Sequence, residues 1–184
     1  MSPIERVTSP LPAAYDGRSR VLVLGTLPSP KSRERGFHYG NPQNRFWKVI
    51  SALWEEDLPQ TMDQRRDLLA RHHLALHDVL ASARIRGASD ASIADPVPSD
   101  LVPILEAAPI TRIFCTGTTA GRLFSRYQEP LLGISCTTLP STSPANARWR
   151  LDDLVAAYGV VRQAAEEADA PLLREALRAG VGKA

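Results

Sequence analysis

The segment from residue 37 to residue 47 combines flat aromatic side chains with amides, a set suited to holding a nucleobase. Phe37 and Tyr39 stand just before a Gly-Asn-Pro turn at 40–42, and Asn44 follows. An aromatic ring offers a stacking face for a base, and an amide both donates and accepts at a base edge. Asn44 has a second interpretation, as the N-cap of a following helix whose side-chain oxygen accepts a backbone N–H. Both interpretations stay open.

A second loop, residues 25–29 (GTLPS), directly follows an apolar run. Its glycine permits a close approach of backbone to a ligand, and its proline fixes the path of the chain. The second glycine and the Gly-Lys pair of a Walker-type phosphate loop are missing, and so is the dinucleotide fingerprint. A plain turn after a strand explains this loop equally well.

A third loop, residues 139–146 (LPSTSPAN), carries two prolines and three hydroxyls. A rigid loop of this kind can hold phosphate oxygens through its side chains and backbone N–H groups. The alternative is a solvent-exposed turn that ends in a helix cap at Asn146.

The elements that must position these loops alternate between strand and helix. Residues 20–24, 112–116 and 134–139 are short apolar runs that predict strands buried on both faces. Strands alternating with helices indicate a parallel sheet covered on both faces, with the ligand beyond the carboxyl ends of the strands. The loops at Gly25 and Pro140 both begin at such an end.

Helical spacing predicts helices over about 44–55 and 62–72, after Gly117, and from Leu151 onward. Ser99 is predicted to cap a short helix that has Pro103 in its first turn. We expect one domain over 1–184, with a core at about 20–160. Residues 1–18 are expected to wrap the surface, and residues 170–184 to form a further peripheral helix and tail.

Charge and composition add weaker constraints. The net charge is +2, but Lys31, Arg33, Arg35, Arg45 and Lys48 lie within 18 residues, opposed by Glu34 alone. Such a patch can neutralise phosphates, although ordinary solvated charges explain it as well. No apolar run approaches the length needed to cross a bilayer, and the start has no signal-peptide core. The expected location is cytoplasmic, associated with the nucleoid when acting on DNA, without a membrane partner.

The cysteines and histidines predict no metal site and no cofactor. Cys115 and Cys136 lie in strand-like stretches typical of small buried hydrophobes, and two cysteines cannot ligate an iron–sulfur cluster. His73 and His77 are four apart and could share a helical face, but a third ligand is missing. Asp78, just beyond them, is interpreted as a surface or capping residue.

The three loops together resemble the motif set of the hypoxanthine-DNA (deoxyinosine) glycosylases and, less closely, the mismatch-specific uracil/thymine-DNA glycosylases of the uracil-DNA glycosylase superfamily. The resemblance spans about residues 20–160. It implies a three-layer α/β/α sandwich around a short, mainly parallel sheet. It also implies hydrolysis of the N-glycosidic bond of a deaminated base in DNA, with DNA as partner and the protein as a monomer.

The resemblance assigns roles to single residues. The mismatch-specific relatives have an asparagine at the position of Leu27, whereas the hypoxanthine branch takes its important amide from the position of Asn44. Tyr39 occupies the place of the aromatic that stacks on the flipped base. Asn41 and Gln43 depart from the usual His and Arg. Ala145 stands where relatives carry a bulky wedge, so Asn146 or Arg148 is the candidate to fill the gap left by the flipped base.

The resulting predicted site has a catalytic residue and two binding groups. Asn44 is catalytic. The predicted base-binding residues are Gly25, Thr26, Leu27, Pro28, Tyr39 and Phe46. The predicted DNA-binding residues are Ser29, Lys31, Arg45, Ser141, Thr142, Ser143, Pro144, Ala145, Asn146 and Arg148.

Three other functions remain open at this point. The enzyme could be a G:U/T mismatch-specific uracil-DNA glycosylase. It could be a catalytically impaired nucleic-acid-binding homologue, which Leu27 favours. An unrelated hydrolase is disfavoured because the sequence has no Gly-x-Ser-x-Gly elbow. No lysine occupies a position suited to an amine nucleophile, which predicts a monofunctional glycosylase.

Overall fold

Four parallel strands form the central sheet in the computed structural model, which describes residues 3–181 and the side chains of residues 3–179. In sheet order they are β3 (Leu74–Asp78), β2 (Val21–Gly25), β6 (Arg112–Thr116) and β7 (Thr137–Leu139). All five residues of β2 are buried, as expected for the Val-Leu-Val-Leu run at the centre of a covered sheet. Because all four strands are parallel, their carboxyl ends lie at the same edge of the sheet.

Helices cover both faces of this sheet. Val21 and Val23 contact one apolar cluster, with α2 (Phe46–Leu53), α3 (Met62–Arg71) and α7 (Leu151–Glu166). Leu22 and Leu24 contact the other, on the opposite face. The helices of that face are α4 (Val102–Ala107), α5 (Thr118–Leu123), α6 (Glu129–Leu132, joined to α5 through a π-helical turn at Phe124–Gln128) and α8 (Leu173–Val181). The predicted three-layer α/β/α fold is confirmed.

A second sheet was not predicted. The antiparallel strands β1 (Ile4–Thr8), β4 (Leu80–Arg86) and β5 (Ser89–Pro98) pair in the order β1-β4-β5. Residues 1–18, which were expected to wrap the surface, contribute β1 to this sheet, and four of the five residues of β1 are exposed. Pro96 and Pro98 lie in β5, an edge strand, where a missing backbone donor is tolerated.

Several predicted boundaries and caps also change. The helix predicted to begin at Asn44 begins at Phe46, and Asp100 Oδ1, rather than Ser99, accepts the N–H of Val102 at the start of α4. His73 and His77 do not share a helical face, because β3 runs between them as extended chain. Within residues 3–181, no helix is both long and apolar enough to span a membrane.

The long loop after β2 contains a short helix, α1 (Pro30–Arg35), that redirects the chain toward the site. Ser29 Oγ accepts from Ser32 N at its start, and Gly36 closes it at φ 71°. Tyr39 follows in the left-handed region at φ 54°, a conformation uncommon for a bulky residue. Gly40 comes next, and a Cβ there would lie 3.1 Å from Ser32 Cα. The turn is thus fixed by close packing against α1.

Two helical glycines provide a matched test of this packing. A Cβ at Gly121 would lie 2.1 Å from Thr138 Oγ1, whereas a Cβ at Gly159 would meet nothing within 4 Å. We expect Gly121→Ala to lower the free energy of unfolding by about 1–3 kcal/mol through overpacking of α5 on β7. Gly159→Ala should raise it by about 0.5–1 kcal/mol. Urea unfolding of both variants measures this, and equal effects would contradict the close α5–β7 contact.

Candidate active site

A cavity of about 900 Å³ opens beyond the carboxyl ends of the central strands. Its walls come from the loop after β2, the turn around Tyr39, the β4–β5 hairpin and the loop after β7. We call residues 139–146 the hydroxyl loop. Among the lining residues are Gly25, Thr26, Leu27, Pro28, Ser29, His38, Tyr39, Asn44, Asp78, Asp90, Ser141, Thr142, Ser143, Pro144, Ala145, Asn146 and Arg148.

Tyr39 forms a flat wall of the cavity. Its ring stacks on Phe46, with ring centroids 3.8 Å apart and planes at 10°, and its hydroxyl lies 3.0 Å from Thr116 Oγ1. Burial raises the pKa of the Tyr39 hydroxyl well above its usual value, so that it stays neutral. Phe46 itself is fully buried and does not line the cavity, so the prediction that it contacts the base was wrong. It supports the far face of Tyr39 instead.

Asn44 has its side-chain amide held in one orientation. Its Oδ1 accepts from Phe46 N at 2.9 Å and from Thr142 Oγ1 at 2.8 Å. A backbone N–H can only donate, so the oxygen must face it, and the Nδ2 group must face the other way. Nδ2 has no hydrogen-bond partner within the described chain. Asn44 therefore closes the first turn of α2 and also presents two free N–H donors.

Arg45 binds the hydroxyl loop rather than facing solvent. Its Nη2 donates to the carbonyls of Ser143 and Asn146, each at 3.0 Å, and its Nη1 donates to the carbonyl of Trp149. Its backbone N–H donates to Thr142 O at 3.0 Å. The guanidinium that the sequence predicts to contact DNA is thus engaged by backbone carbonyls of this loop and its neighbour Trp149. It holds Thr142 beside Asn44.

Asp78 was not predicted as part of the site, yet it ends β3 inside the cavity and is buried. Its Oδ2 lies 3.2 Å from Nδ1 of His38, which is also buried. Its Oδ1 lies over Gly25, where a Cβ would come within 2.6 Å. Only glycine fits at position 25, because the carboxylate occupies the space of a side chain. The sequence signal was the carboxyl end of a buried strand, which the helical interpretation of His73 and His77 concealed.

His38 is bound at both ring nitrogens. Nε2 lies 3.0 Å from Pro12 O, a carbonyl that can only accept, so Nε2 carries a proton. Nδ1 faces Asp78 Oδ2, so a proton on this nitrogen is stabilised by the carboxylate. Burial lowers the pKa of His38, but the hydrogen bond and charge of Asp78 and the Pro12 carbonyl outweigh it, and the pKa lies above its ordinary value. One ligand atom from each of His38, His77 and Asp78 lies within 4.8 Å of the other two, a spacing that a metal ion could bridge.

Comparison with known proteins shows the family to which the chain belongs. The family model of the uracil DNA glycosylase superfamily matches residues 12–162. The chain belongs to this superfamily. It is 33% identical over 142 residues to a protein of Methanosarcina acetivorans named hypoxanthine DNA glycosylase, covering 75% of this chain and 87% of the relative. A protein of the same name from Methanosarcina barkeri is 30% identical over 141 residues, covering 74% of this chain and 87% of the relative.

A solved structure agrees in fold. The solution NMR structure of a Methanosarcina acetivorans protein assigned to the uracil DNA glycosylases superposes with a TM-score of 0.74. It is 26% identical, and the match covers 87% of this chain and 99% of that one. The protein is therefore a DNA glycosylase.

Some of the remaining predicted DNA-binding residues of the glycosylase are bonded within the protein or lie outside the cavity lining, and one is free in the cavity. Ser29 caps α1, and Asn146 donates from Nδ2 to Ser141 O at 2.9 Å. Lys31 is exposed on α1 and does not line the cavity. Asn146 is thus committed to the loop. Arg148 is exposed, lines the cavity and has no hydrogen-bond or ion-pair partner within the described chain.

The hydroxyl loop of the glycosylase retains free donors. Ser141 Oγ accepts from Ser143 N at 3.2 Å, and Ser143 Oγ accepts from Ala145 N at 3.3 Å. Both hydroxyls use an acceptor lone pair and keep their O–H groups available to the cavity. Pro144 and Ala145 form the exposed tip.

The His38–Asp78 pair predicts a pH-dependent stability. Because the folded pKa of His38 is raised, its stabilising contribution is complete below the unfolded value of about 6.5 and is lost as pH rises through the folded value. Unfolding by urea at a series of pH values should show the gap between wild type and His38→Gln shrinking as pH rises above that value. Asp78→Asn should remove the same pH-dependent part. A gap that stays constant or widens would contradict the ion pair.

Proposed function

We propose that this glycosylase removes deaminated bases from DNA, with hypoxanthine as its preferred substrate. The observation that carries the proposal is Oδ1 of Asp78, which has no hydrogen-bond partner within the described chain and which, as a carboxylate oxygen, accepts a hydrogen bond but cannot donate one. The two Methanosarcina relatives, named hypoxanthine DNA glycosylases, support the same substrate.

Deamination changes the ring nitrogen N1 in a way that such an oxygen can distinguish. In adenine the ring nitrogen N1 is an acceptor, whereas in hypoxanthine N1 carries a hydrogen and donates. A carboxylate oxygen facing N1 therefore binds hypoxanthine and repels adenine. A buried polar group left unpaired costs about 1–3 kcal/mol, so the adenine complex is disfavoured further. The same reasoning favours uracil over cytosine at N3.

The proposed complex holds the flipped base between the walls described above. The base stacks on the free face of Tyr39, whose other face rests on Phe46. Asn44 Nδ2 donates to the base as the C1′–N bond breaks and negative charge develops on it. Both lone pairs of Asn44 Oδ1 already accept hydrogen bonds, one from Phe46 N and one from Thr142 Oγ1. Asn44 therefore acts as a donor to the base and does not orient water.

The product is proposed to be an abasic site in an uncut strand. A glycosylase that also cuts the strand commonly uses an amine nucleophile, and no lysine is among the described residues that line the cavity. Ser141 and Ser143 hold phosphates beside the lesion, and Arg148 fills the gap in the duplex. All these groups come from one chain, which supports action as a monomer.

A second candidate substrate is uracil opposite guanine, favoured by the same oxygen of Asp78, which accepts equally from uracil N3–H. Leu27 favours the purine, because the mismatch-specific relatives carry an amide at this position. Excision of deoxyinosine and deoxyuridine, compared in single turnover on otherwise identical duplexes, separates the two candidates.

The role of Asn44 gives the direct mutational test. Asn44→Ala should slow deoxyinosine excision by about 10²–10³-fold, the usual cost of one preorganised donor. Asn44→Asp keeps an oxygen for Phe46 N and Thr142 Oγ1 but removes the donor, so it should be similarly slow while remaining folded. The control is Gln43→Ala, an exposed amide one residue away, which should keep the wild-type rate. Near-normal activity in Asn44→Asp would contradict the donor role.

A further inference from the structure

A second carboxyl group, Asp90, enters the cavity from a different element. It follows the β4–β5 turn, in the sheet that the sequence did not predict, and lines the cavity together with Gly87, Ala88 and Ser89. Its Oδ2 accepts from Thr26 Oγ1 at 3.1 Å, which ties the hairpin to the loop after β2. Its Oδ1 has no partner within the described chain. The residue is accessible to solvent although protein surrounds the cavity in which it stands.

The two carboxyl groups of the cavity have opposite surroundings. Asp78 is paired with the cation of His38. Asp90 has no cationic partner among the described residues. The surrounding protein raises the pKa of Asp90 above its ordinary value; the hydrogen bond from Thr26 lowers it, and the negative charge of Asp78 raises it further. Two carboxyls whose environments differ in this way are typical of a division between a proton donor and an ionised group. The other charged or titratable groups that line the same cavity are Arg33, His38, Tyr39 and Arg148.

We propose that Asp90 is a general acid that protonates N7 of the departing purine. This inference rests on the proposed function and deepens it, because it concerns purine substrates alone. Asn44 donates a hydrogen bond but cannot release a proton. Leu27 has no polar group, so it can neither donate a hydrogen bond nor release a proton. Among the described residues that line the cavity, Asp90 is the carboxyl group without a cationic partner.

The Asp90 O–H proton moves to N7 while the C1′–N9 bond breaks and its electron pair stays on the purine, which leaves as neutral hypoxanthine. The sugar becomes an oxocarbenium ion. Water forms the new bond to C1′, and its proton returns to the Asp90 carboxylate. Uracil has no atom equivalent to N7, so its departure does not use this proton.

The test compares Asp90→Asn with wild type on duplexes that contain deoxyinosine, deoxyuridine or 7-deaza-2′-deoxyinosine. Asp90→Asn should slow single-turnover excision of hypoxanthine by about 10²-fold or more, within the range for general acid catalysis. Uracil excision should change little. 7-Deazahypoxanthine, with carbon at position 7, should be removed equally slowly by both proteins. The matched control is Asp95→Asn, an exposed aspartate of the same hairpin that pairs with Arg84, and it should leave all rates unchanged.

The pH dependence provides a second readout. In wild type, the ratio of hypoxanthine to uracil excision should fall as pH rises through the pKa of Asp90, and in Asp90→Asn this dependence should disappear. The titration of His38 changes the excision rates of both bases, so its effect cancels in the ratio. Equal slowing of both bases by Asp90→Asn would overturn the inference and assign Asp90 to fastening the hairpin. A wild-type protein that removes neither base would overturn the proposed function as well.

Discussion

The side-chain oxygen of Asn44 accepts two hydrogen bonds at once, one from the backbone of α2 and one from Thr142, and the arrangement of the site depends on this pair of contacts. Together they leave the amide nitrogen as the free end of the side chain. Each neutral hydrogen bond contributes only about 0.5–1.5 kcal/mol to stability. Their larger effect is to remove rotational freedom from a donor that must be in place before the base arrives.

Thr142 can reach Asn44 because Arg45, the next residue, holds the hydroxyl loop through three of its backbone carbonyls and also donates to the carbonyl of Trp149, just beyond the loop. The loop is also fixed from the other side, where the hydroxyl of buried Tyr158 on α7 donates to Pro140 O at 2.8 Å. One residue thus supplies the donor and its neighbour positions the group that orients it. An exchange of Arg45 for lysine would lose this geometry, because an ammonium group cannot contact four separated carbonyls as a planar guanidinium does.

The central fold could be predicted from sequence because its signals are local. The Val-Leu run of β2, the apolar run of β6 and the spacing of α7 each specify an element without distant information. The second sheet could not be predicted this way: β5 is mostly exposed, contains prolines and depends on pairing with β4. The residues of the site likewise divide into those with a local sequence signal and those that only tertiary pairing brings to the cavity. Tyr39 and Asn44 lie within a recognisable motif, whereas Asp78 and Asp90 become neighbours of the cavity only through tertiary pairing. The carbonyl contacts of Arg45 were not predicted, because a sequence pattern does not distinguish a cation facing phosphate from one facing carbonyls.

The central claim is that Thr142 acts on the reaction only through Asn44, and a double-mutant cycle on deoxyinosine excision measures this most directly. Single-turnover rates would be compared for wild type, Thr142→Val, Asn44→Ala and the double variant. Thr142→Val keeps the shape of the side chain and removes the hydroxyl, and we predict a rate about tenfold below wild type. The double variant should be no slower than Asn44→Ala alone. A double variant slowed by the product of the two single effects would show that the residues act independently and would contradict the account.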